Sequence, residues 1–369
     1  MQAEILCDTL QDTAVPVVLV LAGGGSTVLA PLLARGGGSR VLLACHIPYH
    51  AQALAAYLCV TKPLVKSCSR DVAVALSMRA FIEGHGLVAS PHAAGIALTC
   101  VLPLRGEERE GRGHRIFCSV QTIDRTTSVA LHLAPGHTRE GAELLARNLL
   151  LNMWSEACGL PDRMPLLLQE GDVLDRKTAK GEGAVQSVLL GTSLAHPLIG
   201  SAQKPSVLFS SACNPFHQGH KRMMELAAQH TGQAVSLEIP LWNADKPPVD
   251  YLSLQQRIES VHRFGPIQSL WVTGLRTFVE KARYWGGNMT FVVGTDTAAR
   301  ICESRFYGGE EGLAEALDTL HILRCRFLCF ARGEDRASTA YHPRFCALAE
   351  FVPKATFWDP ISSTQLRGE

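Results

Sequence analysis

Near the middle of the chain stands Asn214-Pro215-Phe216-His217-Gln218-Gly219-His220. Its two imidazoles can donate hydrogen bonds that follow a moving phosphate, and the glycine between them lets backbone come close to a ligand. Pro215 stiffens the entry turn. The segment falls where strand character in Ser206–Ser210 gives way to helical character in His217–His230. A helix start offers free N–H groups and the positive end of the dipole, so it favours anions. Ser210, Asn214, Phe216, His217, Gly219 and His220 are the residues this places around a bound anion. Two surface histidines would fill the same spacing with no such role, so the reading needs other segments. One is Ile361-Ser362-Ser363-Thr364-Gln365-Leu366-Arg367. The hydroxyls of Ser362, Ser363 and Thr364 can hold phosphate oxygens, and Arg367 can clamp them with a bidentate fork. The other is Phe291-Val292-Val293-Gly294-Thr295-Asp296, where Gly294 permits close approach of a nucleoside and Asp296 can accept hydrogen bonds from ribose hydroxyls.

The elements that must position these residues alternate strand with helix. After Ser206–Ser210 and His217–His230 come a strand at Val235–Pro240 and a helix at Ser253–Phe264. Strand Ser269–Gly274, helix Thr277–Trp285 and strand Thr290–Gly294 follow, then helix Gly312–Leu323 and strand Cys325–Ala331. The strand-like Thr356–Asp359 leads into the last motif. This alternation predicts an α/β fold with a parallel, doubly wound sheet, in which all three motifs lie at carboxyl ends of strands and converge. An earlier region reads similarly, with strands at Val17–Ala22, Val41–Ile47, Gly95–Leu102, Ile116–Gln121 and Ser128–Leu133. Its helices are expected at Thr27–Ala34, Ala51–Leu58, Asp71–Glu83 (capped by Ser69) and Thr138–Trp154 (capped by Thr138). Between the two regions the pattern weakens, apart from a helical stretch at Ala184–Leu190. The expected organisation is a first domain at 1–170, a linker at 171–204 and a second domain at 205–369.

Composition narrows the function classes. The 369 residues include 35 Lys plus Arg against 34 Asp plus Glu, so no global basic field exists to hold a nucleic acid. The first apolar run, Val17–Ala22, is far short of the roughly 20 residues that span a bilayer. The first fifteen residues carry Glu4, Asp8 and Asp12 but no Lys or Arg, unlike a secretory or transit leader. The 12 cysteines form no CxxC pair, which points to reduced thiols in a cytoplasmic protein and to no protein-held metal. Cys213 beside the histidines reads as a packed thiol.

The His217-Gln218-Gly219-His220 segment, Gly294-Thr295-Asp296, and Ile361-Ser362-Ser363-Thr364 with Arg367 together resemble the nucleotidylyltransferase superfamily. Phe278-Val279-Glu280-Lys281-Ala282, Thr290–Ala299 and Phe306-Tyr307-Gly308-Gly309 are similar to its nicotinamide mononucleotide adenylyltransferase-like branch. The resemblance implies a Rossmann-like domain that moves an adenylyl group from ATP to a nucleotide phosphate, with Mg²⁺ carried on the ATP phosphates. His217 and His220 would then contact the ATP phosphates, with His220 nearest the α-phosphate. Ser363, Thr364 and Arg367 would hold the β- and γ-phosphates, and Gly294 and Asp296 would face adenosine. Family members place acceptor-binding residues after the second strand, where Lys246 stands; an exposed loop lysine is the equal alternative. Arg257 is either substrate-facing or a surface ion-pair partner, and Lys221 could add charge to the phosphate site. Trp242 and Trp271 either stack an acceptor ring or pack in the core.

Residues of roughly 15–155 resemble the CinA C-terminal domain, some members of which are nicotinamide-nucleotide amidohydrolases. The likeness rests on Gly23–Ser26, Gly36-Gly37-Gly38-Ser39, Pro48-Tyr49 and Gly95–Thr99. Active members carry Ser-Cys-Thr-Gly-Gly at the first turn and a lysine shortly after the tyrosine. Here the serine position falls on Ala22 and the lysine position near Leu54, while Tyr49 matches. Without nucleophile and base, hydrolysis loses its central step, so the resemblance implies a degenerate domain that binds a nucleotide or supplies a homo-oligomer interface. The expectations are adenylyl transfer to nicotinamide mononucleotide giving NAD, nucleotidyl transfer to another phosphorylated metabolite, amide hydrolysis in the first domain, or nucleotide binding without catalysis. The first of these leads.

Overall fold

The computed structural model describes residues 2–34, 36–60, 64, 66–88, 90–104, 113–242, 247–331 and 341–359. Two compact units divide the chain. One runs to Gln186 and includes a short segment ending at Leu252; the other takes the remainder. Among the described residues no helix is long and apolar enough to cross a membrane.

The first unit contains α1 (Gln2–Gln11), β1 (Val17–Ala22), α2 (Leu29–Ala34), β2 (Leu42–His46), α3 (Ala51–Tyr57), α4 (Arg70–Val88) and β3 (Ala94–Val101). It continues with β4 (His114–Gln121), β5 (Arg125–Leu133), α5 (Arg139–Ala157) and β6 (Val173–Lys180). The sheet order is β2-β1-β3-β4-β5-β6. β1 lies parallel to β2 and β3, and the strands from β3 onward pair antiparallel. Strand side chains alternate between faces. Val18, Val20 and Ala97 therefore meet Leu76 of α4, while Leu19, Leu21 and Leu98 meet Leu10 of α1 and Leu149 and Trp154 of α5.

Two caps set the long helices as expected. Ser69 Oγ accepts the N–H of Val72 at 3.3 Å, and Thr138 Oγ1 accepts that of Gly141 at 3.0 Å. Helix α1 is an addition that the strand–helix alternation does not predict. Near the start of β6, the enclosed carboxylate of Asp172 accepts N–H groups from Ala134 and Gln169 and faces Nε2 of His137 at 2.9 Å. Burial pushes this carboxyl up, but these hydrogen bonds outweigh burial and hold it below the usual range.

Helix α6 (Gly183–Leu189) precedes the second sheet, which consists of β7 (Ala195–Ile199), β8 (Val207–Ser210), β9 (Val235–Pro240), β10 (Leu270–Thr273), β11 (Thr290–Gly294), β12 (Arg326–Phe330) and β13 (Ala349–Phe351). The helices that follow are α7 (Gln218–Thr231), α8 (Tyr251–His262, in this unit from Ser253 on), α9 (Phe278–Trp285), α10 (Thr295–Ile301), α11 (Glu310–Ile322) and α12 (Pro343–Cys346). The order is β13-β12-β11-β8-β9-β10-β7, with every pair parallel except β7 against β10. Leu208, Trp271, Phe291, Val293 and Phe327 pack with α9, α10 and α11 on one face. Phe209 faces α7 on the other, with its ring 5.6 Å from that of His220.

Two expectations are corrected. The stretch 171–204 is no linker: it supplies edge strand β6 to the first sheet, exposed over most of its length, and edge strand β7 to the second, a short strand with a proline at its centre. The last strand among the described residues is Ala349–Phe351, and Thr356–Asp359 lies past it, with the Asp359 N–H 3.5 Å from the carbonyl of Ala331.

Candidate functional site

The strand order reverses between β8 and β11, which makes their carboxyl ends the switch point of the second sheet, where open α/β sheets receive ligands. β8 feeds the histidine segment and β11 ends at Gly294, so the sheet brings these two motifs side by side.

His217 caps α7. Its Nδ1 accepts the Gly219 N–H at 3.1 Å, and Nδ1 of His220 accepts the His217 N–H at 3.3 Å. The two rings lie 3.9 Å apart between centroids and are 6 % and 2 % exposed. A ring nitrogen that accepts an N–H carries no proton, so both neutral imidazoles hold theirs on Nε2. The cap thus prepares a pair of Nε2–H donors at the positive end of a 14-residue helix. Both rings are held by these bonds, so the helix start itself fixes their orientation.

The base beneath them is built from packing. Phe216 is 4 % exposed, its ring 5.3 Å from His220 and 5.6 Å from Phe264, and its N–H donates to Ser260 Oγ at 2.9 Å. Ser211 Oγ lies 3.5 Å from His220 Nε2 and accepts the Cys213 N–H at 3.2 Å. Ser210, expected among the nucleotide contacts, alternates away from Phe209 to the opposite face of the sheet; Ser211 is the serine that meets His220. Asn214 joins Pro215 through a cis peptide bond and is half-buried. Cys213 is fully buried, and burial pushes its thiol up to about 12, so it stays protonated.

Sequence reasoning missed Asp359. Its Oδ2 is 3.7 Å from His217 Nδ1, and a Cβ added to Gly219 would meet that oxygen at 1.5 Å. An alanine at 219 would therefore require the Asp359 side chain to swing away. The segment entering the terminal motif thus rests on the histidine turn. Ser362, Ser363, Thr364 and Arg367 lie outside the described residues, as does Lys246.

Gly294 is buried at the start of α10, and Asp296 is exposed in its first turn. Arg257 on α8 lies close enough to Cys213 to oppose the rise in its thiol pKa, which puts its charge beside the loop. Lys221 donates to the carbonyl of Phe264 at 3.1 Å and so ties α7 to the chain after α8. Trp271 is 3 % exposed and meets Trp285 edge-on at 5.8 Å, which makes it a core residue. Trp242 is half-buried beyond β9, with the Arg276 guanidinium 4.7 Å above its ring.

The first unit has its own cavity of about 300 Å³ at the glycine turn after β1, lined by Gly23, Ser26, Tyr49, Arg139 and Glu143 among others. Gly23 has φ +90°, and a Cβ there would meet the Cys100 carbonyl oxygen at 2.4 Å. The Glu143 carboxylate accepts the N–H groups of Gly25 (2.9 Å) and Thr27 (3.2 Å) and lies 3.3 Å from Ser26 Oγ. The N–H groups of Gly25 and Thr27 and the Ser26 hydroxyl are thus engaged by the chain itself. Leu54, at the expected lysine position, is core at 2 % exposure.

Residues 211–369 match the cytidylyltransferase-like family model. Among solved structures, a competence/damage inducible protein CihA from Agrobacterium tumefaciens aligns at 15 % identity and TM-score 0.34, covering 42 % of this chain and 96 % of that one. A competence-damaged protein (CinA) superfamily protein from Escherichia coli aligns at 15 % identity and TM-score 0.33, covering 41 % and 86 %. No curated protein matches the chain.

Proposed function

We propose that the second unit transfers an adenylyl group from ATP to the phosphate of nicotinamide mononucleotide, giving NAD and pyrophosphate. The match to a nucleotidyl-transferring family over 211–369 supports the reaction class. The observation that carries the reading is the His217–His220 pair, set as two Nε2–H donors at the helix start beside the switch point. In the proposed step an acceptor phosphate oxygen bonds to the α-phosphorus as the bond to pyrophosphate breaks. No protein nucleophile is required, so catalysis rests on alignment and on charge stabilisation. His220 would donate to the α-phosphate and His217 to the neighbouring phosphates. Gly294 and Asp296 would border adenosine, and Ser363, Thr364 and Arg367 would close over the far phosphates. Mg²⁺ carried on the ATP phosphates would neutralise their charge.

A second reading, cytidylyl transfer to another phosphorylated metabolite, is favoured by the description of the matched family. Both are tested by a panel of purified full chain with ATP or CTP, Mg²⁺ and candidate phosphates, scored by pyrophosphate release. Release with ATP and nicotinamide mononucleotide supports the first reading. Release with CTP and another phosphate supports the second. Release with neither pair overturns both.

A further inference from the structure

Arg276 stands in the turn after β10, three residues beyond its end, and its side chain is exposed. Its guanidinium sits over the Trp242 indole at 4.7 Å and has no carboxylate partner among the described residues. An arginine with no task beyond solubility needs no fixed backbone, but this one has it. Glu280 accepts the N–H of Arg276 (2.5 Å) and of Thr277 (3.2 Å). On the other side Lys281, 2 % exposed, donates to the Leu275 carbonyl at 2.7 Å and to buried Glu238 at 2.7 Å. A buried ion pair and a capping box therefore lock the turn that carries this exposed cation.

Position assigns that cation a partner. The reacting phosphates belong at the end of β8, where the histidines stand. β9, which leads to Trp242, is the next strand, and β10, which leads to Arg276, is the one beyond. At about 4.8 Å per strand they lie roughly 5 and 10 Å to the side. A mononucleotide whose phosphate reaches the histidines extends its base along this rim. We propose that Arg276, stacked on Trp242, is a specificity residue that favours an acceptor whose ring end carries an anionic group, such as a ring carboxylate in place of a carboxamide. The stacked guanidinium keeps its planar fork of donors for such a group, and a bidentate pair rejects the uncharged analogue more strongly than added apolar contact could. The inference rests on the reading of the second unit as a mononucleotide adenylyltransferase and revises its acceptor, placing the nicotinate form ahead of the nicotinamide form.

The test compares nicotinate mononucleotide with nicotinamide mononucleotide as acceptors for the wild-type chain, Arg276→Leu and Arg276→Lys, by pyrophosphate release and by calorimetric binding. Losing a charged hydrogen-bond partner should lower kcat/KM for the carboxylate acceptor about 10- to 100-fold in Arg276→Leu, through KM. The carboxamide acceptor and the KM for ATP should stay within about twofold, and Arg276→Lys should recover part of the loss. Equal effects on both acceptors, or no effect on either, overturn the assignment of Arg276. If no variant turns over yet nicotinate mononucleotide binds better and loses that advantage in Arg276→Leu, the assignment stands and the proposed reaction fails. Equal binding of the two acceptors to the wild-type chain overturns the assignment whatever the turnover.

Discussion

The Asp359 carboxylate lies 3.7 Å from His217 Nδ1 and fills the space a side chain at Gly219 would take. Two segments 140 positions apart in the chain are interlocked there by the absence of one carbon. Alanine is the better helix former by about 1 kcal/mol, so helix propensity alone would make Gly219→Ala stabilising. We expect the reverse: a loss of about 1–3 kcal/mol from overpacking, measured by denaturant unfolding. Asp359→Ala should make the second substitution harmless, so the double variant should not show the sum of the two single effects. Strict additivity would mean that the carboxylate does not sit over the glycine.

His220→Ala should lower turnover by roughly 10²-fold or more, the scale for losing one preorganised donor. It also removes the acceptor of the His217 N–H, so a stability loss of about 0.5–2 kcal/mol should accompany it, as for other lost caps. Turnover near the wild-type value, with the stability loss present, would leave His220 as a cap and nothing more.

Much of this site is legible in the amino-acid sequence. His217, Gly219 and His220 are readable because motif spacing and helix-start chemistry coincide, and β8, β9, β10 and β11 because their apolar runs are short and bounded. Ser211, Asp359 and Arg276 are not readable in this way. Each gains its place from a contact that leaves no local pattern: Ser211 through His220, Asp359 through Gly219, Arg276 through Trp242. The edge strands β6 and β7 are hidden for a related reason. With Val173–Thr178 exposed throughout, nothing marks a strand until β5 pairs with it. One signal for Asp359 does exist, since it directly precedes Pro360 and the terminal motif.

In the proposed reaction Arg367 clamps the ATP phosphates with a charge-assisted fork. Deleting Leu366–Glu369 or making Arg367→Ala should lower ATP affinity or turnover roughly 10- to 150-fold, the equivalent of about 1.5–3 kcal/mol. Arg367→Lys should recover only part, because lysine cannot form the fork. Titration of ATP and pyrophosphate release measure both effects, and wild-type values in all three variants would make the motif structural.

The first unit should release no ammonia from nicotinamide mononucleotide. Ala22 offers no hydroxyl, and Ser26 is held against a carboxylate whose oxygens also accept two backbone N–H groups. An ammonia assay on the full chain should match the blank, and Ser26→Ala should change nothing. Ammonia above the blank that disappears in Ser26→Ala would make Ser26 a nucleophile.

The strongest single effect on folding should come from Lys281. Its ammonium and the Glu238 carboxylate are 2 % and 0 % exposed and 2.7 Å apart. Thr273 Oγ1 also donates to Glu238 Oε1, at 2.5 Å, while Oε2 is buried with no hydrogen-bond partner among the described residues. Lys281→Met would leave that carboxylate buried without its cation, which should cost about 3–5 kcal/mol. The loss belongs to the orphaned charge more than to the lost contact, so Glu238→Leu added to Lys281→Met should recover most of it. Thr273 would then lack its acceptor, which sets a residual cost of about 1–3 kcal/mol. Denaturant midpoints for the single and double variants measure this. If the double variant is as unstable as Lys281→Met alone, the pair is held for the lysine's bond to the Leu275 carbonyl and not for charge balance. In that case Leu275 and the turn bearing Arg276 should be the first region to gain amide exchange.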